Sequence, residues 1–232
     1  MMIHQDKLDI AGLLRRLPLF SAVRPENIRH LAAATREKRL AKGEVLFQRG
    51  DTPRGFFVVV FGQIKLAFSS RQGNEKVVEI VGPQQTFGEA MMFMEKPHVV
   101  FAEALLDTLV VHIARAAVVE LLERDKSFAL QMLAGLSMRL HRLVQDVESY
   151  SLRSSTQRLI GYLLQHCPDP DQGSGSVTVD LPTSKQVIAS RLNLTPETFS
   201  RILHDLSSTG LITVHGRHVT INDVKRLRES EP

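Results

Sequence analysis

Glu197, Ser200 and Arg201 stand within one turn of each other near the C-terminus, and their side chains can read nucleic-acid bases. A carboxylate accepts from cytosine N4, a hydroxyl can serve as donor or acceptor, and a guanidinium forks onto guanine O6 and N7. The triplet lies in the run SKQVIASRLNLTPETFSRILHDLSST, residues 184 to 209. There Phe199, Ile202, Leu203 and Leu206 recur at the i, i+3, i+4, i+7 spacing of one buried helical face, which leaves the triplet on the other. Thr195 is an N-cap, Pro196 takes N1 where a missing N–H costs nothing, and Gly210 stops the helix. Val187, Ile188 and Leu192 mark a shorter helix before it, joined through Asn193-Leu194-Thr195. That layout is a helix-turn-helix, a unit that places its second helix in the major groove of DNA. The simpler alternative, a solvated Glu197–Arg201 pair, is worth only about 0.3–0.5 kcal/mol. It leaves unexplained the hairpin that follows, Leu211 to Thr213 and Val219 to Ile221, which completes a winged unit. Arg217 in the intervening turn can approach the phosphate backbone, a contact that positions without reading sequence. His215 and His218 form an H-x-x-H with no further ligands nearby, too few for a metal site.

The elements ahead of this unit must carry and control it. The chain has 232 residues, 43% of them apolar, enough for two modest domains, and no apolar stretch approaches a membrane span. No export signal opens the sequence, so a cytoplasmic protein with no membrane partner is expected. The single Cys167 excludes an internal disulfide framework and an all-cysteine iron–sulfur or zinc site, and in its loop it reads as neither ligand nor nucleophile. A net charge of +4 suits a polyanionic partner without demanding one.

From about residue 39 to 113, short β-rich runs alternate with glycine-marked turns: Val45 to Phe47, Phe56 to Phe61, Ile64 to Phe68, Val77 to Val81, Val99 to Ala104 and Leu109 to Ile113. Many short strands at regular spacing predict a small jelly roll, with Arg71 to Asn74 as a hairpin loop. Helices are predicted at Asp9 to Leu14 and Pro25 to Thr35 before it, and at Ala114 to Leu122 after it. Asp125 then N-caps a long helix to about Ser151, in which Leu133, Leu136, Leu140, Leu143, Val147 and Tyr150 alternate by three and four. This a/d seam predicts a parallel helix pair between two copies, with Leu130 and Met138 left to cover the barrel. A two-fold dimer sets two reading helices about 34–36 Å apart and predicts an inverted-repeat site on double-stranded DNA. Gln157 to His166 opens the C-terminal domain, and Cys167 to Ser176 reads as a loop.

This order of parts resembles the CRP/FNR superfamily of bacterial transcription regulators from about Leu17 to Leu227, on Lys42-Gly43, Gly50-Asp51, Phe87-Gly88-Glu89-Ala90 and the PETFSR helix. The resemblance implies an α+β protein. Its parts would be a cyclic-nucleotide-binding-like jelly roll over 1–124, a dimerisation helix over 125–152 and a winged helix-turn-helix over 153–232. It further implies that Glu197, Ser200 and Arg201 read TTGAT-like half-sites, that Ser184, Lys185 and Thr195 hold phosphates, and that RNA polymerase is a partner if the protein activates.

Departures from the family pattern bear on the effector. Cyclic-nucleotide members grip the phosphate with an Arg-Ser pair, and the positions counted from Gly88 are Val99 and Val100. A desolvated phosphate facing two valines loses its charge-assisted bonds, so cAMP is not expected. The N-terminal cysteine cluster of oxygen-sensing members is missing, so neither is an iron–sulfur cluster. Met91, Met92, Phe93 and Met94 stand instead in the expected effector loop with Val99 and Val100. EAMMFM, Arg139-Leu140-His141 and PETFSR together resemble the Dnr branch, which implies haem b, nitric oxide sensing and control of denitrification or anaerobic genes. Candidate axial ligands are His98 and His141, with His4 and His30 as further histidines and His112 predicted to point into solvent from an alternating strand. A regulator answering a noncanonical cyclic nucleotide is the alternative. A cupin-like metalloenzyme is a remoter one, since two barrel histidines are too few for a catalytic metal and no nucleophile elbow, phosphate loop or H-E-x-x-H occurs. No enzymatic activity is expected.

Overall fold

The computed structural model describes residues 9–69, 75–167 and 176–230. The chain divides into two compact units, one of the residues up to 73 and 78–141 and the other of 74–77 and 142 onward, so that the division along the long helix falls between His141 and Arg142.

In the first unit α1 (Ile10–Arg16) and α2 (Pro25–Ala33) precede β1 (Thr35–Leu40), β2 (Val45–Phe47), β3 (Gly55–Phe61), β4 (Ile64–Ser69), β5 (Glu75–Val81) and β6 (Thr86–Phe87). There follow α3 (Glu89–Met94), β7 (Phe101–Ala104), β8 (Thr108–Ala114), α4 (Arg115–Arg124) and the start of α5 (Lys126–Leu152). The strands form two four-stranded antiparallel sheets in the orders β1-β8-β3-β6 and β2-β7-β4-β5, the expected jelly roll. The predicted hairpin loop at Arg71 to Asn74 and the histidine at position 4 lie outside the described residues. Thr35 opens β1 rather than closing α2, and the β1 sequence TREKRL carried no apolar alternation to announce it.

β3 and β8 are buried on both faces, which explains why GFFVVVF and TLVVHIA are nearly continuous apolar runs. On one face Val59 and Val110 meet Phe47, Ile64, Val81 and Ala102 in the core between the sheets. On the other, Phe56, Val58, Val111 and Ile113 pack against Leu14, Phe20, Ile28, Leu31, Val118, Leu121, Phe128 and Met132 from the helices. Phe20 stacks on Phe128 with ring centroids 5.5 Å apart and planes 8° from parallel.

The second unit holds α6 (Ser155–Gln165), β9 (Val177–Asp180), α7 (Lys185–Arg191), α8 (Pro196–Ser208), β10 (Ile212–His215), β11 (His218–Ile221) and α9 (Val224–Glu229). Ser154 and Gln157 close a capping box on α6. The wing is three-stranded, β10-β11-β9, and its third strand was visible as the alternation in VTVD just past the predicted loop. The hairpin turns on Gly216, at φ 61°, and Arg217, tighter than the five-residue turn expected. Cys167 is buried in the core of this unit with Leu159, Ile188, Phe199, Leu203 and Val219. Among the described residues no helix is long and apolar enough to cross a membrane.

Asp125 is where α5 is anchored. Its carboxylate accepts from the Ser127 hydroxyl at 2.5 Å, the Asn27 amide at 2.9 Å and the backbone N–H groups of Ser127 and Phe128 at 3.1 and 3.4 Å. These bonds, the Ser127 hydroxyl first, hold its pKa down to about 2. A depressed carboxylate contributes stability that is complete above its unfolded pKa and lost as pH falls through the folded one. Asp125→Ala is therefore expected to cost about 2 kcal/mol at pH 7. Urea midpoints of wild type and variant should stay apart at pH 6 and converge as the pH is lowered toward 2.

Candidate nucleic-acid interface and sensor cavity

The second unit builds its reading surface from the turn outward. Asn193 takes the left-handed conformation, φ 57°, between α7 and α8, which an Asn tolerates better than most side chains. The Leu194 N–H closes the turn on the Ala189 carbonyl at 2.9 Å, and the Arg158 guanidinium donates to the Leu192 and Asn193 carbonyls at 3.0 and 3.3 Å. The Thr195 hydroxyl then accepts the Thr198 N–H at 3.2 Å with Pro196 at the first helical position. At the far end Gly210, φ 71°, lets the Leu211 N–H return to the Leu206 carbonyl at 3.1 Å. Both ends of α8 are thus fixed by the residues that predicted them.

Phe199, Ile202, Leu203 and Leu206 bury one face of α8, and Glu197, Ser200 and Arg201 are exposed on the other, followed by His204. The Glu197 carboxyl lies below the usual carboxylate range because its own backbone N–H and then the Thr195 side chain bond to it. It is therefore ionised at neutral pH and can only accept, as a reader of cytosine N4 must. Among the expected phosphate contacts, Ser184 is exposed and its hydroxyl accepts the Val187 N–H at 3.4 Å, capping α7. Lys185 is half-buried, Thr195 is exposed, and Arg217 is exposed at the wing tip. His218 is engaged by Asp180 across the β9–β11 pair, and the described residues contain no group of three or more metal-binding side chains.

Of the residues expected to form a seam on α5, four are exposed and two are engaged within the chain. Leu133, Leu140 and Val147 are exposed, as a contact face requires, at 59%, 63% and 64%, and Leu143 is exposed beside them. Leu136 instead packs against the helical core, and the Tyr150 hydroxyl donates to the Arg191 carbonyl at 2.5 Å. Leu130 and Met138, expected to cover the barrel, are exposed. Phe128 and Met132 do that work, and Leu130, Leu133, Leu140, Leu143, Val144 and Val147 are left exposed along the helix. Spacing alone could not separate the exposed positions from the engaged ones.

The methionine run forms α3, not a loop wall. Met92 is buried in the helical core, Met91 is half-buried, Phe93 and Met94 are exposed, Val99 is exposed and Val100 packs against the core between the sheets. Glu89, almost wholly buried, accepts from the Arg139 guanidinium at 2.9 Å, and that guanidinium also donates to the Thr86 carbonyl.

A cavity of about 650 Å³ opens elsewhere in the roll, lined by Arg36, Lys38, Phe47, Arg54, Phe57, His98 and His112 among others, and by none of the residues expected to form the effector pocket. His112 does not point into bulk solvent: it is half-buried, faces the same side of β8 as Val110, and lies 4.9 Å from the Phe57 ring. Gly55 leaves room beside it, since a Cβ there would stand 2.0 Å from the Ile113 carbonyl oxygen and 2.6 Å from the His112 Nε2. His98 lies flat on Phe47 at 3.8 Å. Burial lowers the pKa of both imidazoles, with Asp51 partly opposing it at His98. Both are neutral at pH 7 and able to ligate. His141 is exposed on α5 and does not line the cavity.

Comparison with known proteins agrees with this architecture. Residues 37–125 match the cyclic nucleotide-binding domain family and residues 157–230 the Crp-like helix-turn-helix domain family. A CRP-like cAMP-activated global transcriptional regulator of Mycobacterium tuberculosis is 24% identical over 216 residues, 93% of this chain and 96% of that one. The crystal structure of DNR from Pseudomonas aeruginosa is 32% identical, covering 98% of this chain and 99% of that one, with a TM-score of 0.52. FixK2 from Bradyrhizobium japonicum shares the fold at 22% identity and a TM-score of 0.72, over 85% of this chain and 98% of its own. With a jelly roll, a long helix and a winged helix-turn-helix in this order, the chain belongs to the CRP/FNR superfamily of DNA-binding transcription regulators.

Proposed function

We propose that the protein is a homodimeric regulator that reads a TTGAT-like inverted repeat with Glu197, Ser200 and Arg201 and responds to nitric oxide through haem b, controlling denitrification or anaerobic genes. The observation that carries the DNA-reading part is the exposed triplet on a helix capped at both ends and buried on its opposite face. Ser184, Lys185, Thr195 and Arg217 surround it as phosphate contacts, and the exposed stripe on α5 pairs two copies. RNA polymerase is the further partner if the protein activates.

The sensor reading is supported by the cavity in the first unit. Its aromatic wall suits a macrocycle, neutral His98 and His112 are the imidazoles that would hold the iron, and Arg36, Lys38 and Arg54 would take the propionates. When bound, the cofactor would supply an iron centre able to take up nitric oxide; the chain's own part is to ligate it and exclude water. A cyclic nucleotide is less well served, because Val99 and Val100 offer its phosphate no donor side chain and Glu89 is already paired with Arg139. Occupancy that favours one packing of α5 would couple to DNA affinity, typically by about 1–3 kcal/mol.

Fluorescence anisotropy tests the readers. Arg201→Ala should lose about 1–3 kcal/mol on the inverted repeat and relax discrimination at one guanine, whereas Lys185→Ala should weaken all sequences alike and flatten the salt dependence. Equal losses on specific and random duplex for Arg201→Ala would refute the assignment. In sedimentation, the pair Leu140→Asp and Val147→Asp should yield monomers that no longer bind the full repeat tightly. Haem titration should raise a one-to-one Soret band that moves with nitric oxide and weakens in His98→Gln or His112→Gln. Without such a band the effector reading fails and the DNA reading stands.

A further inference from the structure

The cavity in the jelly roll has a chemistry that neither DNA reading nor the family pattern uses. Its floor is a cross-strand row of one sheet, Arg36 opposite His112 and His112 opposite Phe57, with Phe87, opposite Phe57, buried in the core behind them. Directly opposed residues share a face. Phe57 and Phe87 stack at 5.3 Å, Phe47 lies over Phe57 at 5.9 Å, and His98 lies on Phe47. The result is a wall of flat rings.

Two features distinguish this space from a packing defect. His98 is only 5% exposed and lines the cavity, and no hydrogen bond to either ring nitrogen occurs among the described residues. Its ring nitrogens are not among the wholly enclosed unpaired polar atoms, so they reach the cavity and can bond to a ligand there. At the mouth Arg36, Lys38 and Arg54 are exposed and form no ion pair among the described residues. Glu37 and Asp51 also line the space, Asp51 accepting the Gln48 N–H at 2.8 Å, so three cations stand against two carboxylates and the balance at the mouth is positive.

We infer that this cavity binds a planar aromatic or conjugated carboxylate, its rings stacked among Phe47, Phe57, His98 and His112 and its anionic group held by Arg36, Lys38 and Arg54. Haem is one planar carboxylate, but the inference does not rest on the nitric oxide reading and covers smaller ligands.

The test is calorimetric titration of the haem-free, full-length protein with 2-naphthoate, and with neutral 2-naphthalenemethanol for comparison. One naphthoate per chain is expected, bound about tenfold or more tighter than the alcohol, with the preference lost in Arg36→Glu/Lys38→Glu. The His98 and His112 ring protons should shift in NMR spectra as naphthoate is added, a readout that does not depend on either variant folding. Absence of heat and of ring shifts, equal affinity for the two probes, or an unchanged preference in the charge-reversed variant each overturns the assignment. Naphthoate uptake without a Soret band would uphold the cavity and sink the haem reading; a Soret band without naphthoate uptake would do the reverse.

Discussion

The first unit depends on two strands that are covered on both faces along nearly all their length. β3 and β8 lie between the core of the roll and the helical layer, so each of their residues must satisfy a neighbour on one side or the other. Apolar side chains do so by contact alone, which accounts for the composition of both strands. His112 is the single titratable residue in either, and it sits where the inner core gives way to the cavity. Gly55 opposite Ala114 leaves room for both the Ile113 carbonyl and the imidazole, which a Cβ would meet at 2.0 and 2.6 Å.

The same burial defines the job of α5. One side of the helix must cover Phe56, Val111 and Ile113, and Phe128, Met132 and Leu136 are the residues that reach them. Asp125 fixes the start of the helix through bonds to Asn27 and Ser127, so the rotation of everything after it is set at its first turn. The apolar residues left over, from Leu130 to Val147, are too many and too exposed to belong to a free helix face in water. A second copy of the helix is the partner we propose for them, since the repeat of three and four suits a helix pair.

What was legible in the sequence and what was not follows from the range of the interactions. The reading helix was legible because period, Thr195, Pro196 and Gly210 are all local signals and all agree. The jelly roll was legible from its strand count and turns. β1 was not, because an edge strand with four exposed polar residues has no alternation, and it pairs with a strand more than sixty residues away. The seam was half legible: the sequence showed the repeat, but only packing on β3 and β8 decides which residues of it turn inward. Nor could the cavity be read, because His98, His112 and Arg36 come from separate segments. Strand alternation taken alone sent His112 outward, since it assumes that one face of a strand meets solvent and β8 has no such face.

That error is informative about how the sensor unit can work. On β8, His112 faces the cavity while Val111 and Ile113, its neighbours in sequence, face the helical core that holds Phe128 and Met132. A ligand that displaces the imidazole therefore acts on a strand whose opposite surface is in contact with α5, one strand thickness away. Close-packed interiors do not absorb such shifts by compression; they transmit them to whichever element can repack. If the cavity takes the proposed ligand, α5 is the element placed to repack, because its inner side is held by a few large side chains while its outer side carries exposed apolar residues. Coupling by this route needs no chain of polar contacts. It requires only that the ligand favour one of two packings of Phe128, Met132 and Leu136, and the differential needed, about 1–3 kcal/mol, is within what repacking a few buried side chains can supply.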